Sequence, residues 1–207
     1  MVNFEQINAF INYNYTPFNK AQCIKRLFAV WITSAILCFI GSKFILWMLP
    51  LGIADLLLSV MFITLVVRYS QSQISRYLCD GIFYLYIAVI LNLASYRVMT
   101  LQIGSNWILS IILMSLLIVC IFVFVLVTFS NIKSGKFVGT GASKRIISLP
   151  FLSCIIGILV AKLLLQGQSQ QVVLTVVAYI LLILSFVIGI PSINLLKAIF
   201  YKRYIDK

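Results

Sequence analysis

The chain has 207 residues, of which 63% are hydrophobic and 10% charged, with a mean hydropathy of +1.12 and a formal net charge of +12. A soluble domain is about half apolar and about a quarter charged, so this chain has too little polar surface to enclose its apolar side chains in water. Soluble, disordered and fibrous classes are excluded, and the expectation is an all-α polytopic membrane helix bundle with no soluble domain.

In chain order, residues 1–26 form an amphipathic segment ahead of the first apolar run. Phe4, Ile7 and Ile11 recur at helical spacing against Glu5, Gln6, Asn8 and Asn12, which suits a helix on the inner leaflet or against a partner. Six apolar runs follow, at 27–41, 45–67, 82–100, 107–129, 146–165 and 172–196, with no more than one charged residue in any of them. Each approaches the ~20 residues that a bilayer core of ~30 Å requires. None shows the alternation of a β-barrel strand. They are predicted as six transmembrane helices in three hairpins, a bundle over 27–196.

The first two runs turn at Gly41-Ser42-Lys43, and Thr16-Pro17 offers an N-cap that lengthens the first helix. No small-x-small cleavage site follows the first run, which is therefore expected to act as an uncleaved anchor. The second run holds Asp55 near its middle, a costly place for a carboxylate, with Arg97 and Lys162 as its candidate partners. The third run carries Tyr84, Tyr86, Asn92, Ser95, Tyr96 and Arg97, and Asn92 and Tyr96, four residues apart, share a face that could extend a polar seam to Asp55. Asp55, Asn92, Tyr96, Arg97 and Lys162 are thus the candidate intramembrane polar site. The fourth run is nearly uniform in its apolarity apart from Ser110 and Ser115 and is predicted to face lipid. After it, the glycine-rich stretch 135–141 reads as a flexible loop. Gly189-Ile190-Pro191 should kink or end the sixth run, and 197–207 form a basic tail leaving along the inner surface.

Charge sets the expected orientation. Lys20, Lys25, Arg26, Arg68, Arg76, Lys133, Lys136, Lys144, Arg145, Lys197, Lys202, Arg203 and Lys207 fall on one side of a six-span arrangement, and Lys43 alone on the other. The positive-inside rule then predicts both termini in the cytoplasm. Lys43, Arg97 and Lys162 each lie near the outer end of a hairpin, where they could ring a vestibule or snorkel to headgroups. The basic charge is read as orienting helices and attracting anionic lipid, not as a nucleic-acid surface.

Catalytic chemistry is sparse. There is no histidine, the acids are Glu5, Asp55, Asp80 and Asp206, and the cysteines at 23, 38, 79, 120 and 154 form no C-x-x-C motif and are expected as free thiols. No catalytic, metal or cofactor residue is predicted. The expected role is a non-enzymatic integral membrane component of an oligomeric assembly (a sensor, anchor or immunity-type subunit). It would present Lys133, Lys136, Lys144, Arg145, Lys202 and Arg203 as a cytoplasmic basic face to a second copy or to a protein partner. The alternatives are a small transporter or channel with Asp55 coupled to a proton or cation, and a lipid-processing enzyme.

Overall fold

Backbone polar groups find no water inside a bilayer, so an apolar run of spanning length closes its hydrogen bonds along a helix. The computed structural model describes residues 3–13, 17, 19–40, 44–68, 73–104, 107–138 and 169–205, and every regular element among these is helical. We label them α1 (Phe4–Asn12), α2 (Lys20–Phe39), α3 (Phe44–Arg68), α4 (Gln73–Ile103), α5 (Trp107–Lys133), α6 (Gln170–Gly189) and α7 (Asn194–Tyr204), with a 3-10 turn, Ile190–Ile193, between the last two. Five stretches are long and apolar enough to cross a membrane: α2, α3, α4, α5 and the stretch Gln170–Tyr204 that holds α6 and α7. The described residues are thus all-helical, with five stretches of the length and composition of an integral multi-pass membrane protein. The predicted run 146–165, with Cys154 and Lys162, lies outside the described residues, as do Lys43, Lys144 and Arg145.

Helix boundaries follow local chemistry. α2 begins later than the Thr16-Pro17 cap implies, because Asn19 takes the N-cap and its side chain accepts the backbone N–H of Gln22 at 3.3 Å. α1 opens with a capping box in which Asn3 and Gln6 bond reciprocally, the Asn3 N–H reaching Gln6 Oε1 at 3.0 Å. α6 ends at Gly189, and Pro191, which lacks an N–H, opens the 3-10 turn that redirects the chain into α7.

α4 is the axle. At 31 residues it is about 46 Å long, well beyond the hydrocarbon thickness of ~30 Å, so it projects from one end of the bundle. Its projecting N-terminal turns collect the other elements: Tyr77 packs with Ile7, Phe10 and Ile11 of α1, Ile132 of α5 and Ala198 of α7. We call this the basic end. α1 therefore buries its apolar face on the chain's own helices, although Phe4 stays exposed. Gly81 sets the approach of α4 to α7, since a Cβ there would lie 2.6 Å from Leu195 Cγ and 2.8 Å from its backbone N.

The remaining helices alternate in direction. α2 and α3 are antiparallel, with Trp31 against Ser59, Ser34 against Asp55, and Leu37 in one cluster with Leu51. α6 runs antiparallel to α4: Gln102 bonds the Gln171 carbonyl at 2.6 Å, Ser95 the Ala178 carbonyl at 2.8 Å, and Gly189 lies against Ala88. α5 buries only Leu113, Leu117, Thr128 and Ile132 and leaves Ile111, Ile118, Phe122 and Leu126 exposed, a surface fit for lipid.

Candidate functional site

Asp55, only 2% exposed, is the polar centre of the membrane-embedded part. The antiparallel course of α3 brings it level with Ser34 of α2 and Tyr86 of α4. Ser34 Oγ donates to its Oδ1 at 2.9 Å and Tyr86 OH donates to the same oxygen at 2.6 Å. One carboxylate oxygen thus joins three helices. A second link runs beside it: Ser59 Oγ donates to the Asp55 backbone carbonyl at 2.6 Å and accepts from Trp31 Nε1 at 3.0 Å. The i,i+4 spacing of Asp55 and Ser59 is what lets a serine hydroxyl fold back onto its own helix.

Arg97 does not reach this centre. It lies eleven residues beyond Tyr86, about 16 Å along α4. Its Nη1 donates to the carbonyls of Leu37 (2.9 Å) and Cys38 (3.4 Å), and its guanidinium stacks 5.2 Å from the Trp47 ring. The last carbonyls of α2 are short of backbone donors, Leu37 accepting the C-cap N–H of Ile40 at 3.2 Å, and they carry the negative end of the helix dipole, so they compete well for a cation in a dry site. Arg97 is therefore buried, 4% exposed, rather than snorkelling outward.

The predicted seam from Asn92 and Tyr96 to Asp55 does not form. Asn92 Nδ2 donates to the Leu113 carbonyl of α5 at 3.2 Å, and its Oδ1 has no hydrogen-bond partner among the described residues. Tyr96 is buried. Six residues of α4 separate Asn92 from Tyr86, which turns the two to different faces. Two open clefts of several hundred Å3 border the described helices: an apolar one on α3 around Gly52, and one beside Gln102 and Thr175. Asp55 lines neither.

At the basic end the less exposed charges are partnered. Asp80 pairs with Arg26 of α2, and with Arg76 Nε at 3.9 Å one turn back on α4. The Arg26 guanidinium also lies 5.6 Å from the Phe83 ring. Cys23 and Cys79, which the sequence leaves unrelated, bring their sulfurs to 3.2 Å. Lys197 of α7, 6% exposed, donates from Nζ to the Tyr13 carbonyl at 2.6 Å. The rings of Phe10, Tyr13 and Tyr77 surround that ammonium at 5.3–5.8 Å. Tyr77 OH donates to the Ile11 carbonyl at 2.7 Å. α1 carries no basic residue in its last turn, and Lys197 and Tyr77 satisfy its terminal carbonyls from other helices.

Of the predicted basic face, Lys133, Lys136, Lys202 and Arg203 are exposed at this end. Gln6 Nε2 donates to the Lys133 carbonyl at 3.3 Å, tying α1 to α5. Sequence reasoning did not single out Ser34, Ser59, Gly81, Lys197 or the cysteine pair. Only the i,i+4 spacing of Arg76 and Asp80 is a signal visible without coordinates. Comparison with known proteins gives no match: no family model fits the chain, and no curated protein or solved structure is similar to it.

Proposed function

We propose that the chain is a non-enzymatic membrane component of an assembly and that its basic end is the surface it offers to a protein partner or a second copy. The single observation that carries this reading is the different use of polar groups at the two levels. Asp55, Asn92, Ser95 and Arg97, buried in mid-bundle, link helix to helix, whereas at the basic end α1 and α7 build a platform with Lys133, Lys136, Lys202 and Arg203 exposed on it. Membrane sensors and anchors need such a rigid span and a charged docking face, with electrostatics steering the partner.

The proposed arrangement has six spans in three hairpins, with the basic end and both termini in the cytoplasm. Nine of the described basic side chains, from Lys20 to Arg203, gather at that end and Arg97 alone lies toward the other, which supports the orientation. Support for a sixth crossing comes from α5 and α6: the chain leaves α5 at the basic end, beside α1, and enters α6 at the opposite end, beside Gln102. Maleimide labelling of cysteines placed in 131–145 should succeed only after the inner face is opened; labelling of sealed cells overturns the orientation.

The docking claim is tested by reversing four charges together, Lys133→Glu, Lys136→Glu, Lys202→Glu and Arg203→Glu. Light scattering of the detergent-solubilised chain and co-purification from membranes should show loss of the self-associated or partnered species at unchanged thermal stability. Unchanged association removes the basic face as the docking surface.

A small transporter is a second reading, favoured by one observation: Asp55 stands in mid-span with hydroxyl donors and without a cationic partner among the described residues. Proton or monovalent-cation flux in liposomes that falls in Asp55→Asn puts this reading ahead, and flux indistinguishable from empty liposomes removes it.

A further inference from the structure

Cys23 and Cys79 lie 56 residues apart in sequence, yet their thiols meet at 3.2 Å between the first two turns of α2 and the second turn of α4. Both are almost wholly buried, at 2% and 1% exposure, and they sit at the floor of a small cleft at the basic end. Asn19, Gln22, Arg26, Arg76 and Asp80 form its polar walls, and its volume of about 10 Å3 is that of one water-sized molecule. The other described thiols have no such setting. Cys38 packs in an apolar cluster with Leu37, Leu51 and Ile90, and Cys120 lies on the largely exposed α5.

We propose that Cys23 and Cys79 form a peroxide-reactive dithiol that closes into a disulfide joining α2 to α4. Proximity makes the second thiol an immediate resolving group, and the size and polarity of the cleft select a small neutral oxidant over a bulky one. In the first step one sulfur attacks a peroxide oxygen. The S–O bond forms as the O–O bond breaks, and the thiol proton leaves with the departing hydroxide as water. In the second step the other sulfur displaces the sulfenic oxygen, which leaves with the remaining proton as a second water. Two thiols lose two electrons and hydrogen peroxide gains them. The bond would pin the start of α2 to the projecting part of α4, beside the Arg26–Asp80 pair. This inference stands independently of the docking surface proposed above.

The test uses the full chain in its membrane. Membranes are exposed to graded hydrogen peroxide, dissolved in SDS with light maleimide, then reduced, relabelled with heavy maleimide and digested. Cys23 and Cys79 should pass to the heavy label together, at doses that leave Cys38 and Cys120 in the light label. A digest without reduction should contain the joined peptide, two hydrogen masses below the sum of its parts. Cys79→Ser should abolish the joined peptide and drive Cys23 on to irreversible oxidation. Oxidised glutathione, too large for the cleft, should close the pair more slowly than peroxide does. Light label persisting on Cys23 and Cys79 while Cys38 or Cys120 reacts overturns the proposal, as does their oxidation without a joined peptide. Faster closure by oxidised glutathione overturns peroxide as the reagent. The wild-type chain alone supplies these readouts if the variant does not fold.

Discussion

Asp80, at the basic end, meets the guanidiniums of Arg26 and Arg76, whereas Asp55, midway along α3, meets among the described residues only the hydroxyls of Ser34 and Tyr86, while Arg97 is held elsewhere in the same bundle. The difference follows from the cost of desolvation. An ion pair deep in an apolar medium must strip water from two charges, and its attraction often fails to recover that cost. Hydroxyl donors are cheaper to bury and satisfy the carboxyl oxygen directly. At the rim, where the Arg26, Arg76 and Asp80 side chains keep 11–15% exposure, water still reaches the charges and pairing is affordable.

The largest expected effect comes from Arg97, whose replacement removes a charged donor from the Leu37 and Cys38 carbonyls in a dry site and leaves Leu37 with the Ile40 N–H alone among the described donors. Arg97→Leu should destabilise the bundle by about 2–3 kcal/mol in SDS unfolding titrations, and Arg97→Lys should recover part of that. A neutral result would mean that the end of α2 is not where this cation earns its burial. Next comes Asp55. Asp55→Ala leaves the buried Ser34 hydroxyl and the half-buried Tyr86 hydroxyl without their acceptor and should cost about 2 kcal/mol. Asp55→Asn keeps an acceptor oxygen in place and should cost about a quarter of that in the same titration. If the asparagine variant is as unstable as the alanine one, a negative charge is required at mid-span and the contrast with Asp80 breaks. The smallest effect belongs to the rim pair: Asp80→Asn should cost about 1 kcal/mol or less and should shrink further in high salt. The Asp55 variants should be insensitive to salt, and a shared salt dependence would erase the distinction.

The spans were legible because hydropathy is a one-dimensional property, and the described runs could be read directly from where charges interrupt them. Asp55 stood out for the same reason, as the only acid inside an apolar run. Its partners did not, because they depend on how helices rotate and which residues come level once α3 runs back along α2. That geometry brought Tyr86 to Asp55, turned Asn92 to α5, and left Arg97 about 16 Å away along α4. The α2 start was misplaced for a local reason: Thr16-Pro17 and Asn19 are both competent caps, and sequence alone does not rank them. The amphipathic pattern of α1 was legible, but the surface it covers belongs to α4, α5 and α7, over a hundred residues away in α5 and α7. Gly81 carried no signal, since a glycine that permits close approach looks like any other until its neighbour Leu195 is in place.

The bond from Lys197 to the Tyr13 carbonyl spans 184 residues. A ribosome must therefore deliver the chain as far as Lys197 before α1 can complete its seat, because Tyr77 and Ile132 supply only part of the surface it covers. Until then its apolar stripe, Ile7, Phe10 and Ile11, is covered only in part, and the completion of its docking is a late event in biogenesis. Deleting α7 should consequently leave the upstream helices inserted but keep α1 open to a protease, which makes the first helix a reporter of whether the last one has arrived.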